Sequence, residues 1–205
     1  TLEIVQLKNI SRKNWIIIGG YTGSGKTNLI TPYNSMIDLE SLANHRGSAF
    51  GKKLTNQSTA ANFENSLAFH YLRNSSKWLL LEDESRLIGK NLLHENWYQK
   101  MQKSPLVILE VKLNERVNNI FNEYINLPKK KGLSLEYLRL NMIASLFKIK
   151  KRLGRKRYAE IKSIMEKSFE SNSENLYKNW IRKVLLYYYD PLYSFKMQKR
   201  KKYIS

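Results

Sequence analysis

The apolar positions of this chain follow two different periods, and the change falls near the start of its last third. Before residue 128, short runs of consecutive apolar residues alternate with stretches in which apolar residues recur every three to four positions. Such runs are typical of strands buried on both faces of a parallel sheet, and such stretches are typical of helices that cover it. The predicted strands are Trp15 to Ile18, Ser35 to Leu39, Lys77 to Leu81 and Leu106 to Val111. The pattern predicts an α/β domain over residues 1–127.

Two of the helices in this region have recognisable ends. The first has apolar residues at helical spacing from residue 60 to residue 71, and either Ser58 or Thr59 is a suitable cap for its start. The second begins after Asn114, and we expect Pro128 to end it because proline interrupts helical hydrogen bonding. Lys129 to Gly132 then fits a boundary loop between two domains.

Beyond that loop the sequence shows helical periodicity only. Two apolar stripes predict helices that pack by one face, while most charged residues fall on other faces. The stripes are Leu135, Leu138, Met142, Leu146 and Ile149, then Tyr177, Trp180, Ile181, Val184, Leu185 and Tyr188. Residues 128–205 are therefore predicted to form a helical subdomain.

Composition excludes several classes of protein. A chain of 205 residues with 42% hydrophobic residues can bury a core, so it is not disordered throughout. No apolar run approaches the roughly 18 residues of a membrane span. The absence of cysteine excludes disulfides, thiolate metal sites and a cysteine nucleophile on this chain. The start lacks the basic and then apolar pattern of a secretion signal, so we expect a cytoplasmic protein with no membrane partner.

The positive charge is concentrated in the helical region. Of the net charge of +19, +15 lies in residues 128–205. A polyanion such as RNA is the natural partner of such a region, although a solvated basic surface remains an alternative. Aromatic residues interleave with bases near the end of the chain, which also suits RNA. The candidate RNA-binding residues are Arg182, Lys183, Lys196, Lys199 and Arg200.

The strongest motif follows the first predicted strand and fits the phosphate-binding pattern GxxxxGKT, also called Walker A. Its glycines let backbone N–H groups curl around phosphate oxygens, its lysine neutralises charge, and its threonine hydroxyl can bind Mg²⁺. A strand before it and an apolar helix after it supply the required context. The candidate phosphate-binding residues are Gly20, Thr22, Gly23, Ser24, Gly25, Lys26 and Thr27. The motif predicts a P-loop NTPase-like parallel sheet flanked by helices, with the basic helical subdomain appended.

A P-loop requires a carboxylate across the sheet to support the metal. Glu82 and Asp83 follow the third apolar run, and neighbouring side chains on a strand point to opposite faces, so either can be the metal carboxylate. Asp38 and Glu40 follow the second run, on the strand expected beside the P-loop strand, and a catalytic and a purely structural role are both open for them. Arg46 lies in a loop of small residues and is suited to a diphosphate or an RNA phosphate.

Several of these strings together resemble the tRNA 2-selenouridine synthase family. The match comprises GYTGSGKT from Gly20, DLESLANHRGSAFG from Asp38, FEN from Phe63, EDESRLIG from Glu82 and YYDPLY from Tyr188. The two long strings are specific, whereas a P-loop alone is shared by many proteins. The resemblance spans nearly the whole chain.

The resemblance implies modification of the wobble uridine of tRNA, bound through its anticodon stem-loop. In this family the sulfur of 2-thiouridine is alkylated by geranyl diphosphate, and selenium from selenophosphate then replaces the S-geranyl group. Lys26, Thr27, Asp38, Arg46 and Arg86 are the residues expected to serve the transfer, and Mg²⁺ is the expected metal. The family also has a rhodanese-like domain with a cysteine, which would act in the same polypeptide or as a separate protein.

Two other functions fit the residues without the resemblance. The first is a P-loop NTPase or small-molecule kinase, with Asp38 or Glu40 as base and Arg86 or Arg116 as a clamp on the transition state. The second is a tRNA-binding module that is not an enzyme and whose P-loop is structural.

Overall fold

A computed structural model describes residues 10–30, 33, 35–53 and 55–204. Its main sheet has four parallel strands in the order β2-β3-β1-β6, and a two-stranded antiparallel hairpin pairs β4 with β5. The α/β fold predicted from the sequence is confirmed. The strands are β1 (Asn14–Gly19), β2 (Met36–Ile37), β3 (Trp78–Glu82), β4 (Leu87–Ile88), β5 (Asn91–Leu92) and β6 (Leu106–Ile108).

The order of the strands corrects one expectation. The strand that precedes Asp38, which is β2, was expected beside the P-loop strand β1, but β2 pairs with β3. The reason is that β3 lies along β1 over five residue pairs, from Asn14↔Trp78 to Ile18↔Glu82, and so occupies the position next to it.

Helices accompany this sheet, and one buried cluster forms its core. Trp97 is the centre of an aromatic group, with its ring centroid 4.7 Å from that of Trp15 and 5.4 Å from that of Tyr71. Thr59 is the cap of the third helix and accepts a hydrogen bond from the Asn62 backbone N–H at 3.2 Å. The helices are α1 (Lys26–Ile30), α2 (Leu39–Ala43), α3 (Ala60–Arg73) and α4 (Glu95–Lys103).

The rest of the chain is helical. Both predicted stripes are packing faces, since Leu138, Met142 and Leu146 of one and Trp180 and Ile181 of the other are buried. The helices are α5 (Leu113–Phe121), α6 (Leu127–Lys130), α7 (Leu135–Lys148), α8 (Lys150–Leu153), α9 (Arg155–Ser171), α10 (Glu174–Val184) and α11 (Asp190–Lys199), with π-helical turns at Asn122–Asn126 and Leu185–Tyr189 and a 3-10 turn at Lys201–Tyr203.

The compact units do not divide where the sequence suggested. One unit holds the described residues up to Gly20, Lys26–Leu109 and the chain from Arg200 onward, and the other holds Tyr21–Gly25 and Glu110–Lys199. The division of these units falls before the predicted boundary after residue 127, because α5 packs against α10 in the helical unit. Pro128 does not end the preceding helix. It lies in the first turn of α6, where the missing N–H of proline is tolerated.

Within the described residues no helix is long and apolar enough to cross a membrane.

Candidate phosphate-binding site

Thr27 and Glu82, two of the residues predicted to bind the metal, contact each other. The Thr27 Oγ1 donates a hydrogen bond of 2.6 Å to the Glu82 Oε1, and Glu82 is buried. The pairing of Ile18 with Glu82 explains this contact, because it puts the end of β3 beside the end of β1, where the P-loop starts. Lys26 Nζ donates to the Gly20 carbonyl at 3.3 Å. The sequence left Glu82 and Asp83 as alternatives, and the structure brings Glu82 to Thr27.

Asp83 is used differently. It forms a buried ion pair with Arg200, whose guanidinium also donates to the Met101 carbonyl at 2.9 Å and to the Ser104 carbonyl at 3.4 Å. Successive side chains of an extended chain point to opposite faces, so the Asp83 side chain points away from the face that Glu82 occupies. This pairing gives Asp83 and Arg200 a structural role, and their predicted roles with metal and RNA stay predictions.

The environment of the Glu40 carboxyl group changes its pKa. Burial, and after it the charges of Glu84, Glu82 and Asp38, raise the pKa of Glu40 to about 9, against the opposing effect of Lys26. Glu40 is therefore protonated at neutral pH. In this state it adds no negative charge beside a loop whose sequence suits an anion.

Gly47 allows the loop after α2 to approach these carboxyl groups. Its φ is +58°, and a Cβ there would collide with the Glu84 Oε2 and stand 3.0 Å from the Glu40 Oε1. Only glycine satisfies both the backbone conformation and the space. The specific string that begins at Asp38 thus includes a residue that packs the loop onto two carboxyl groups.

Asp38 has a structural role. Its side chain accepts a hydrogen bond of 2.8 Å from the Ser41 N–H and caps the start of α2. Of the two roles left open for Asp38, the geometry fits the cap.

The loop Tyr21–Gly25 belongs to the helical unit and is held there by α5. Asn119 donates to the Gly23 carbonyl at 2.9 Å, and Arg116 donates to the Thr22 carbonyl at 3.4 Å. Gly23 has a φ of +82°, and a Cβ there would come within 2.8 Å of the Arg116 carbonyl oxygen, so the loop needs a glycine at this point. The hydroxyls of Thr22 and Ser24 are buried, and neither has a hydrogen-bond partner in the part of the chain that the structure describes.

Arg116 supports the loop and is not available as a clamp. It is buried and forms two hydrogen bonds to Asp190, of 2.8 Å and 2.6 Å, and its guanidinium lies 4.9 Å from the ring centroid of Tyr21. The Tyr21 hydroxyl in turn lies 2.9 Å from the Ser194 hydroxyl. A guanidinium already paired by both nitrogens does not suit the transition-state role that the kinase alternative assigned to it. Sequence reasoning missed the pair, although Asp190 lies in the YYDPLY string.

The other two predicted arginines lie in the sheet unit. Arg86 forms an ion pair of 2.7 Å with Glu95, and both side chains are close to half exposed. Its Nε also donates to the Leu93 carbonyl at 3.3 Å. Arg46 is partly buried, and its backbone N–H donates to the Gly51 carbonyl at 3.0 Å. Neither contact removes these residues from a possible role with an anionic substrate.

The remaining predicted RNA-binding residues are mostly engaged within the helical unit. Arg182 donates to the Asn114 side chain at 2.7 Å, and Lys183 pairs with Glu160 at 2.8 Å. That hydrogen bond raises the pKa of Lys183. Lys196 and Lys199 lie over the rings of Tyr193 and Phe195, at 5.4 Å and 4.4 Å from the centroids.

The donor set suits Mg²⁺ bound together with a diphosphate. Among the described residues no group of three or more histidine, aspartate or glutamate side chains is placed to hold a metal alone. Mg²⁺ needs no such group in a phosphate site, because it keeps several waters and takes phosphate oxygens with one or two protein ligands. The Thr27 hydroxyl and the Glu82 carboxylate are a suitable protein contribution.

These features are those of an α/β domain of the P-loop class, in a chain that also contains a helical unit. A family model described as the tRNA 2-selenouridine synthase AAA domain matches residues 13–205. The chain belongs to this family, as the strings in its sequence had suggested.

Individual relatives agree with the family model. A protein of Shewanella sp. (strain ANA-3) is 37% identical over 204 residues, one of Cupriavidus necator 34% over 209, and one of Sulfurovum sp. (strain NBC37-1) 35% over 226. Each is named tRNA 2-selenouridine synthase. The matches cover 93%, 93% and 96% of this chain but 56%, 56% and 62% of the relatives, so the chain spans little more than half their length. No solved structure matched the chain.

Proposed function

We propose that this chain is the diphosphate- and tRNA-binding part of a tRNA 2-selenouridine synthase and that it transfers a geranyl group to the sulfur of wobble 2-thiouridine. The observation that carries the proposal is the 2.6 Å hydrogen bond from Thr27 to Glu82 directly after Lys26, in a member of this family. This is the arrangement of a P-loop whose metal side is assembled.

The transfer is a substitution at the first carbon of geranyl diphosphate. The sulfur of 2-thiouridine forms the new S–C bond, the C–O bond to the diphosphate breaks, and the diphosphate leaves with the bonding electrons. The N3 proton of the thiouridine is released to solvent, so the products are S-geranyl-2-thiouridine, diphosphate and a proton. The barrier falls when charge growing on the diphosphate oxygens is stabilised by groups fixed in advance.

The residues of the P-loop supply that stabilisation. Lys26 neutralises charge on the leaving diphosphate, and the glycine-rich sequence before it is of the kind whose backbone N–H groups provide donors. Thr27 and Glu82 hold Mg²⁺, which supplies Lewis-acid neutralisation of the phosphate oxygens when bound. Glu40, protonated at neutral pH, avoids repulsion of the anion. Arg46 and Arg86 are further candidates for contact with diphosphate or RNA phosphate.

Selenation would complete the modification, with selenophosphate as the selenium donor. The chain contains no cysteine, so a cysteine of a rhodanese-like domain would come from elsewhere in the polypeptide or from a separate protein. We assign to this chain only the binding of diphosphate, the binding of the tRNA anticodon stem-loop, and the geranyl transfer.

The kinase alternative receives less support from the same geometry. Asp38, one proposed base, caps α2, and Arg116, one proposed clamp, is paired with Asp190. The third possibility, a tRNA-binding module without activity, is separated from the transferase by a direct assay.

The test is to incubate the chain with an anticodon stem-loop RNA that contains 2-thiouridine, with geranyl diphosphate and Mg²⁺, and to analyse the nucleosides by mass spectrometry. We expect S-geranyl-2-thiouridine and one released diphosphate for each nucleoside formed. Lys26→Ala should lower the rate by a factor of about 100 or more, the usual effect of losing one stabilising contact to a developing anion. Lys13→Ala, a lysine outside the P-loop, is the control, and it should leave the rate within about twofold of the parent.

The opposite outcomes are equally clear. ATP hydrolysis at an enzymatic rate, together with no geranylated nucleoside, would support the NTPase alternative. RNA binding without any product, unchanged by Lys26→Ala, would support the tRNA-binding module.

A further inference from the structure

The ten consecutive positions with the most basic residues are 148–157, which we call the basic turn. It joins the end of α7 to the start of α9 and includes α8. Seven of its ten residues are lysine or arginine, and all seven are exposed. Within the part of the chain that the structure describes, none of the seven forms an ion pair with a carboxylate. The seven cations are Lys148, Lys150, Lys151, Arg152, Arg155, Lys156 and Arg157.

This arrangement is unfavourable for the protein by itself. Helix α9 begins with Arg155, Lys156 and Arg157, has no acidic residue in its first turn, and has no side-chain cap at Gly154. The N-terminus of a helix is its positive end, so cations there are destabilising. Three of them in a first turn without an acidic residue create a local positive potential that a bound anion would relieve.

Aromatic side chains stand directly beside these cations. Phe147 is 61% exposed, and the Lys150 Nζ lies 5.6 Å from its ring centroid and 5.3 Å from that of Tyr158. The Arg157 guanidinium lies 4.7 Å from the ring centroid of Tyr187. An exposed ring next to unpaired cations offers both a stacking face for a base and charge for its phosphate.

We propose that the basic turn, with Phe147 as its stacking residue, is the principal docking site for tRNA on this chain. The inference rests on the proposed function, since it names where the RNA substrate binds. It lies within the region 128–205 that the sequence assigned to RNA, but it differs from the candidate residues named there, which are Arg182, Lys183, Lys196, Lys199 and Arg200. Those residues carry charge, but several are already paired with other side chains, whereas the basic turn carries more cations in fewer residues and no carboxylate partner.

The charge component is tested by neutralising three cations in each of two basic segments. One variant is Lys151→Gln with Arg152→Gln and Arg155→Gln. The matched control is Lys129→Gln with Lys130→Gln and Lys131→Gln, which removes the same charge from another segment of the helical unit. Binding of fluorescent tRNA is measured at several salt concentrations for the parent and both variants.

The two variants should behave differently. If the three cations of the basic turn contact phosphates, the slope of log K against log salt should lose roughly 2 to 3 in magnitude. If the variant and the parent bind equally at 1 M salt, a difference of about two in the slope makes the variant bind roughly a hundredfold more weakly than the parent at 0.1 M salt. The control should keep the parent slope and lose only a few fold in affinity. Equal losses in both variants would overturn the proposal, because they would show a response to total charge alone.

The stacking component has its own readout. Phe147→Leu keeps an apolar side chain but removes the ring, and we expect tRNA affinity to fall by roughly 5- to 150-fold with an unchanged salt slope. Phe195→Leu, an exposed ring of α11 that is also beside a lysine, is the matched control and should bind as the parent does. A loss of affinity in Phe195→Leu alone would place the stacking at the end of the chain and refute the role of Phe147.

Failure of this inference and failure of the proposed function can be told apart. With tRNA at saturating concentration, the triple variant of the basic turn should transfer geranyl at the parent rate. If the parent chain forms no geranylated product but still binds tRNA through the basic turn, the proposed transfer is wrong and the docking site stands. If transfer occurs and the basic turn variant binds tRNA as the parent does, the docking site is wrong and the proposed transfer stands.

Discussion

The pair of Asp83 and Arg200 should be a main support of the sheet unit, although neither residue is hydrophobic. The two side chains are 11% and 6% exposed, and Arg200 also donates to the Met101 and Ser104 carbonyls. Arg200→Met keeps an apolar stem of similar length but leaves Asp83 as a buried carboxylate without its partner. Removing one member of a buried ion pair costs about 3 to 5 kcal/mol. We expect the unfolding free energy to fall by that amount.

The assay must report on the sheet unit and not on the helical unit. Of the four tryptophans, Trp15, Trp78 and Trp97 belong to the sheet unit and Trp180 to the helical unit. Urea unfolding followed by tryptophan fluorescence in a Trp180→Phe background therefore reads the sheet unit alone. The midpoint should shift to lower urea with no change in slope, since the same surface is exposed on unfolding.

Two further variants test the reason for the loss. Lys201→Met removes an exposed cation next to Arg200 and should change the unfolding free energy by less than about 0.5 kcal/mol. The double variant Asp83→Leu with Arg200→Met removes both charges and should recover most of the stability, because an apolar pair can replace a buried ion pair at little cost. If Arg200→Met and Lys201→Met shifted the midpoint equally, or if the double variant were less stable than Arg200→Met, our reasoning about the buried pair would be wrong.

Three other perturbations give distinct expectations. Thr27→Ala removes the hydroxyl that donates to Glu82. In an assay of diphosphate release, the Mg²⁺ concentration for half-maximal release should therefore rise at least about tenfold. An unchanged Mg²⁺ requirement would remove Thr27 from the metal site. Burial and the neighbouring carboxylates raise the pKa of Glu40 to about 9, so between pH 5 and pH 9 the folded state holds a proton that the unfolded state has released. The unfolding free energy should therefore fall as pH rises through this window, by at most about 1.4 kcal/mol per pH unit, and Glu40→Gln should flatten the profile measured by urea titration at each pH. Arg116→Lys keeps the charge but cannot reproduce the two hydrogen bonds to Asp190. We therefore expect weaker diphosphate binding by calorimetry and a loss of about 2 kcal/mol in the unfolding free energy of the helical unit. Parental values for both would contradict the support we assign to Arg116.

The sequence predicts the longer elements well because burial on both faces leaves a continuous apolar run. The runs from Trp15 and from Lys77 become β1 and β3 with ends within about one residue of those expected. The hairpin of β4 and β5 was missed, since strands of two residues are too short to show a period. The expected end of the last strand at Val111 was too late, because pairing with β1 stops at Ile108.

Site residues fall into two groups: those that one local segment identifies, and those that depend on partners far away in the sequence. The motif around Lys26 follows from spacing within one segment, so the sequence alone identifies it. The choice between Glu82 and Asp83 depends on which face of β3 meets Thr27, and the burial of Arg200 depends on the return of the chain end to the sheet. Both facts involve partners far apart in sequence, which a count of charges cannot detect. For the same reason, removing the last ten residues would not isolate an RNA-binding tail, because it would also remove Arg200.

The carboxyl groups near the P-loop pose an electrostatic conflict for a site that binds anions, and the structure resolves it residue by residue. Asp38 caps α2, Glu82 accepts from Thr27, and Glu40 holds a proton because burial and its acidic neighbours make the charged form unfavourable. Proton binding at Glu40 and anion binding at the loop must then favour each other, since an ionised Glu40 would repel the phosphates. Gly47 maintains this coupling by allowing the loop to close on Glu40 and Glu84, which explains why the specific string has a glycine at this position, where a larger side chain would separate these groups.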